Sequence, residues 1–220
     1  MSPPSPERLA DSTMPEDFVA RVGSERASAI LRTDSAETAE SAMEAAVRGG
    51  FRLVEFTLTI PGAFELIQEF ARREGIVAGA GTVLTTEDAE RAVAAGASFL
   101  VSPVVDEAVI GAAARLGVAA MPGAHTPTEM LRAHRAGAQL VKLFPCPAGG
   151  PVWLRSVLGP LPFLKVVPTN GVDAGNFRQW LDAGAWGAGF VTSLFDPEDL
   201  RTGAFDRIEE RARQILAEVA

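Results

Sequence analysis

Residues 118–144 read VAAMPGAHTPTEMLRAHRAGAQLVKLF, and this stretch contains one whole unit of the pattern that decides the fold. Val118–Met121 is a short apolar run that ends at Pro122-Gly123. Thr126-Pro127-Thr128-Glu129 then supplies a helix cap, a proline at the first helical position and a carboxylate at the third. Gly137 closes that helix, since glycine accepts the left-handed conformation in which helices end. Gln139–Phe144 follows as a second apolar run. Two apolar runs joined by a capped helix are the repeat of a parallel sheet, whose neighbouring strands need a crossover connection.

The unit recurs in both directions. The predicted strands are Ala27–Arg32, Phe51–Thr57, Ile76–Ala80, Ser98–Ser102, Val118–Met121, Gln139–Phe144, Lys165–Thr169 and Trp186–Val191. Asp34 with Glu37 reads as a capping box, and Asp196-Pro197-Glu198-Asp199 repeats the layout at 126–129. Gly49-Gly50, Gly96, Gly117 and Gly184 stand where further helices must stop. Phe205, Ile208, Ala212, Ile215 and Leu216 give a last amphipathic helix. Eight such units predict a single (β/α)8 TIM barrel over residues 27–220; an open α/β sheet, the alternative, usually has about five or six strands. Residues 1–26 are set apart as an N-terminal extension: Ser2 to Pro6 is rich in proline and serine and expected to fray, while Met14 to Gly23 suits a short helix around Phe18 and Val22.

At 220 residues and 47% hydrophobic, the chain suffices for one buried core. Its net charge of −8 repels polyanions, so neither nucleic acid nor an anionic membrane surface is an expected partner. A lone cysteine, Cys146, and the lack of a basic-plus-apolar leader predict a cytoplasmic protein. No apolar run approaches the roughly 18 residues of a membrane span.

Lysine usage is uneven. Of 20 basic residues, only Lys142 and Lys165 are lysines, and both lie in apolar segments where a charged side chain is costly to bury. In barrels of this kind chemistry sits at the carboxyl ends of the strands. Those ends hold Arg32, Glu55 with Thr57 and Thr59, Gly79-Ala80-Gly81-Thr82, Ser102-Pro103, Pro122-Gly123, Lys142 with Phe144, Thr169-Asn170-Gly171, and Gly187 to Ser193. Alternation puts Leu140, Lys142 and Phe144 on one face, Leu53, Glu55 and Thr57 on another, and Ile30 with Arg32 on a third, so a lysine, a glutamate and an arginine converge on one cavity. Burial lowers a lysine pKa toward the neutral amine that forms an imine, and raises a glutamate toward neutral pH, where it passes protons both ways.

Other reactive residues suit plainer roles. Lys165 begins a strand on the stability face, His125 is a loop bystander, His134 faces solvent from a helix, and Cys146 lacks a nearby base. No metal-ligand spacing is present, and no metal is expected. Thr169-Asn170-Gly171 and Gly189 to Ser193, with Thr192, occupy the two loops that commonly hold phosphate in such barrels.

The chain resembles the 2-keto-3-deoxy-6-phosphogluconate (KDPG) and 4-hydroxy-2-oxoglutarate (KHG) aldolase family, including its 6-phosphogalactonate-cleaving members. The resemblance runs from about Ala29 to the C-terminus on Ala29-Ile30-Leu31-Arg32, Val54-Glu55-Phe56-Thr57-Leu58, Gly79-Ala80-Gly81-Thr82-Val83, Ser102-Pro103, Pro122-Gly123, Val141-Lys142-Leu143-Phe144-Pro145 and Gly149-Gly150-Pro151. It implies that Lys142 forms the imine, that Glu55 is the general acid and base, and that Arg32 and Thr82 contact the keto-acid end. It further implies a homotrimer that cleaves its substrate to pyruvate and an aldehyde without an external cofactor. Three positions depart from the family: Thr59 stands where gluconate-type members often have arginine, Asn170 replaces a glycine, and Val191 replaces the glycine before Thr192, where the family has a phosphate-binding serine.

The expected reaction is cleavage of a 2-keto-3-deoxy-6-phospho sugar acid to pyruvate and glyceraldehyde 3-phosphate. An unphosphorylated 4-hydroxy-2-keto acid is the alternative substrate. A non-catalytic barrel that senses a phosphorylated metabolite has no need for both Glu55 and Lys142, and a phosphosugar isomerase or epimerase leaves the lysine unexplained.

Overall fold

The structure, a computed structural model, describes residues 14–218. The predicted frayed stretch Ser2 to Pro6 lies outside them. Eight strands alternate with helices: β1 Ala27–Leu31, β2 Leu53–Thr57, β3 Val77–Gly81, β4 Phe99–Ser102, β5 Ala119–Ala124, β6 Val141–Leu143, β7 Val166–Pro168 and β8 Ala188–Phe190. The helices are α1 Pro15–Glu25, α2 Ala36–Arg48, α3 Ala63–Phe70, α4 Thr86–Ala94, α5 Glu107–Leu116, α6 Pro127–Arg135, α7 Gly150–Leu158, α8 Phe177–Asp182, α9 Pro197–Thr202 and α10 Phe205–Ala217. All paired strands are parallel, in the order β7-β6-β5-β4-β3-β2-β1-β8, and a bridge between Thr169 and Gly189 joins the two ends. The sheet therefore closes into the expected TIM barrel.

Two apolar clusters follow from strand alternation. Val54, Phe56, Leu100, Ala120, Val141 and Val166 belong to the outer cluster, which the surrounding helices cover. Leu53, Phe99, Val101, Ala119, Met121, Leu140 and Val167 fill the barrel interior. Phe18 of α1 enters the same interior and stacks on Phe99 with ring centroids 4.3 Å apart, while Trp186 donates to the carbonyl of Val19 at 2.8 Å. Residues 15–25, set apart from the barrel in the sequence reading, thus close its amino-terminal end: a helix whose Phe18 and Val22 point one way finds its partner where the barrel would otherwise be open.

Local chemistry explains most boundaries. Thr126 accepts from the amide of Glu129, whose carboxylate returns to the amide of Thr126, so the capping box of α6 forms as read. Asp196 caps α9 in the same position. At α2 the cap moves one residue: Ser35, not Asp34, accepts from the Thr38 amide, which leaves Asp34 free to face the strand ends. β5 runs three residues past its predicted end, through Pro122-Gly123 to Ala124, since a glycine at 123 permits the close approach of Pro103, whose carbonyl would lie 2.4 Å from a Cβ there. β6 is shorter than read because the Gln139 side chain, rather than the backbone, accepts the Ala120 amide.

Candidate active site

A cavity of about 770 Å³ opens at the carboxyl ends of the strands. Its wall carries Arg32, Thr82, Pro103, Lys142, Phe144, Thr169, Asn170 and Thr192, all expected there from sequence. Lys142 projects from the middle of β6 and is 8% exposed. Its ammonium nitrogen lies 3.8 Å from Oε1 of Glu55 and 5.4 Å from the centre of the Phe144 ring.

Glu55 lies beneath the cavity rather than on its wall. It faces inward from β2, fully buried, and neither carboxylate oxygen has a hydrogen-bond partner among the described residues. Burial raises its pKa above the ordinary 4.5, and the charges of Lys142 and Arg32 pull in the opposite direction. The result is a carboxyl group that holds a proton more readily than a free one does, next to an amine.

Neighbouring strands make the space for this pair. Glu55 registers with Gly79 and Thr57 with Gly81 across β2 and β3, and a Cβ on Gly81 would fall 2.1 Å from Glu55 Oε1. One strand further, the Phe99 ring occupies the volume a side chain at Gly79 would fill. Thr82 follows at φ +60°, a conformation rare for a β-branched residue, and its hydroxyl accepts from the Arg32 guanidinium at 3.2 Å. Strain of this kind persists where the surrounding structure holds a residue in place for use.

On the far side, the hydroxyl of Thr169 is buried and lacks a partner among the described residues, although Thr169 borders the cavity. Gly189 is not on the wall: it packs under Thr169, whose hydroxyl would lie 2.6 Å from a Cβ at 189. Gly171 belongs instead to an adjoining depression that shares Asn170 and Thr192 with the main cavity. Asn170 takes φ +64°, which asparagine tolerates better than most residues, so the turn survives the loss of glycine. Thr59 bonds to Thr57 at 2.9 Å and faces solvent outside the wall.

The remaining reactive side chains stay apart from this cavity. His125 shares a 2.8 Å hydrogen bond between Nδ1 and the Pro145 carbonyl, and Lys165 lies over the Trp186 ring at the opposite end of the barrel. His134 is exposed, against Phe163. Burial pushes the Cys146 thiol up to about 11, which suits an inert role. Among the described residues, the carboxylates close enough to share a cation are Glu40, Glu44 and Glu69, on α2 and α3. Arg73 pairs with two of them, Glu44 and Glu69. No helix among the described residues is long and apolar enough to cross a membrane.

Strand ends alone did not disclose Asp34 and Arg201, which also face the cavity. Asp34 hangs from the loop after β1, and Arg201 comes from α9, a short helix inserted after β8.

Residues 20–211 match the family described as KDPG and KHG aldolase. The chain is 38% identical over 172 residues to a probable 2-dehydro-3-deoxy-6-phosphogalactonate aldolase of Rhizobium meliloti (strain 1021), covering 77% of this chain and 81% of that one. It is 34% identical to the 2-dehydro-3-deoxy-6-phosphogalactonate aldolase of Escherichia coli (strain K12), over 86% of this chain and 90% of the relative. A KDPG aldolase of Legionella pneumophila, with pyruvate captured at low pH as a covalent carbinolamine, superimposes with a TM-score of 0.82 at 25% identity, over 92% of this chain and 98% of that one. With its lysine and carboxyl paired at the floor of the barrel mouth, the chain belongs to the KDPG and KHG aldolase family.

Proposed function

We propose that the chain is a class I aldolase that cleaves a 2-keto-3-deoxy-6-phospho sugar acid to pyruvate and glyceraldehyde 3-phosphate. The observation that carries this reading is the buried pair at 3.8 Å, Lys142 Nζ and Glu55 Oε1, under a cavity lined by the partner residues expected for a keto acid.

The chemistry follows from the groups present. The Lys142 amine, once deprotonated, adds to the C2 carbonyl, and the carbinolamine so formed takes a proton on its hydroxyl from the Glu55 carboxyl and loses water to give an iminium. The Glu55 carboxylate takes the C4 hydroxyl proton, the C4 oxygen becomes a carbonyl, and the C3–C4 electron pair moves into the iminium to leave an enamine. The aldehyde departs. Glu55 then returns its proton to C3, and water hydrolyses the regenerated iminium to release pyruvate and the free amine. A carboxyl whose pKa burial has raised suits both halves of that cycle. Arg32, held by Thr82, supplies a cation for the C1 carboxylate. Each step uses only this chain's side chains and water.

Borohydride reduction in saturating pyruvate, followed by peptide mapping, tests the reading. A pyruvyl adduct on Lys142 is expected; no adduct, or one elsewhere, would overturn it. Turnover of the phosphorylated acid against 4-hydroxy-2-oxoglutarate separates the two substrate classes. For assembly we propose a homotrimer, which Leu84, Val104 and Val152, apolar and half or more exposed in segments that follow strand ends, support; sedimentation velocity checks it.

A further inference from the structure

The geometry points to Arg201 as a specificity-determining residue that grips the phosphate monoester at the far end of the substrate. This rests on the aldolase reading above. The cavity wall carries three cationic side chains, Arg32, Lys142 and Arg201. Lys142 is committed to the carbonyl, and Arg32 sits with Thr82 at the β1 and β3 ends. Arg201 reaches the same cavity from α9, the helix that follows β8, shares its wall with Thr192 and Leu200, and is the wall cation left for a distal anion.

The amino-terminal turn of α9 does not offer its own amides to a distal anion. The first amides of α9 are already taken, since Asp196 accepts from Glu198 N at 2.8 Å and from Asp199 N at 3.3 Å. A guanidinium meets a phosphate with two parallel donors.

α9 is fixed in place for that task. The buried Asp199 carboxylate accepts from Arg211 at 2.6 Å and Arg207 at 3.3 Å on α10, and Arg211 also donates to the Leu194 carbonyl at 2.6 Å. These bonds tie α9 and the preceding turn to α10. Arg201 itself is held by Glu198 in a two-pronged pair, through Nε at 2.8 Å and a terminal guanidinium nitrogen at 2.5 Å, exposed on both sides. The pair lies in water, which screens it, and a phosphate dianion competes with the Glu198 carboxylate for the same two donors. Asp34, the carboxylate on the wall, lies in no ion pair among the described residues and suits the substrate's hydroxyls instead.

The test compares kcat/KM for a 2-keto-3-deoxy-6-phospho sugar acid with that for the same acid lacking the phosphate, in the full chain. Wild type is expected to prefer the phosphate ester. Arg201→Ala should cut that preference about ten- to a hundredfold, mainly through KM, with Arg201→Lys restoring part of it. Glu198→Gln, which removes the competing carboxylate, should raise it by roughly two- to fivefold. Arg178→Ala on α8, paired to Asp182 away from the cavity, is the control and should leave it unchanged. If wild type prefers the ester and Arg201→Ala prefers it equally, the role of Arg201 is overturned while the aldolase reading stands. If Lys142 traps pyruvate but wild type shows no preference for the ester, both the phosphorylated substrate and the Arg201 grip fall.

Discussion

Gly81 leaves open the volume into which Glu55 extends its carboxyl group: a Cβ at 81 would stand 2.1 Å from Oε1. The contact is with the tip of a flexible side chain, so an alanine there is accommodated by moving the carboxyl rather than by breaking the strand. Gly81→Ala is therefore expected to fold, at a cost of about 1–2 kcal/mol. Its kcat should fall by about 100-fold or more, because the proton carrier no longer faces Lys142. Thermal unfolding and steady-state turnover check both halves; a variant with near-normal kcat would show that the position of Glu55 does not matter.

Glu55 also couples stability to pH. Its pKa is raised by burial above the ordinary 4.5, with Lys142 and Arg32 only partly offsetting the desolvation. The folded state thus binds the proton more tightly than the unfolded chain does. The stability contributed by neutral Glu55 is complete below pH 4.5 and is lost as pH rises through the raised value. Glu55→Gln cannot ionise and escapes that loss. The Tm of the variant relative to wild type should climb as pH rises above 4.5 and level off once wild-type Glu55 has ionised, although the variant is inactive. Parallel Tm curves across that range would refute a raised Glu55 pKa.

Much of this was legible in the chain. Lys142 stands out because it is one of two lysines and sits in an apolar run, and period-two alternation aims it at Glu55. The strands follow from apolar runs between helix caps and glycine stops, which are local signals. What was not legible depends on pieces distant in sequence. Phe18 has meaning only once Phe99 is beneath it, and Arg201 belongs to the site only because α9 folds back over the mouth. Asp34 reads as a cap because its spacing to Glu37 fits one; the backbone instead chose Ser35, a choice between adjacent polar residues that sequence spacing alone does not resolve.

Thr82 separates the needs of stability from those of function. At φ +60° its β-branched side chain carries about 1–2 kcal/mol of strain, while its hydroxyl holds the Arg32 guanidinium at 3.2 Å. Two substitutions divide these roles. Thr82→Val keeps the shape and the strain but loses the hydroxyl; Thr82→Gly loses the hydroxyl and relieves the strain, offset in part by about 0.5–1 kcal/mol of added chain entropy. Both should lower kcat/KM about tenfold, since a hydrogen bond to a charged group is lost in each. Thr82→Gly should nevertheless be the more stable of the two by up to about 1 kcal/mol, read from urea midpoints. A valine variant as stable as the glycine variant would place no strain at this position, and one with wild-type kcat/KM would free Arg32 from any dependence on the hydroxyl.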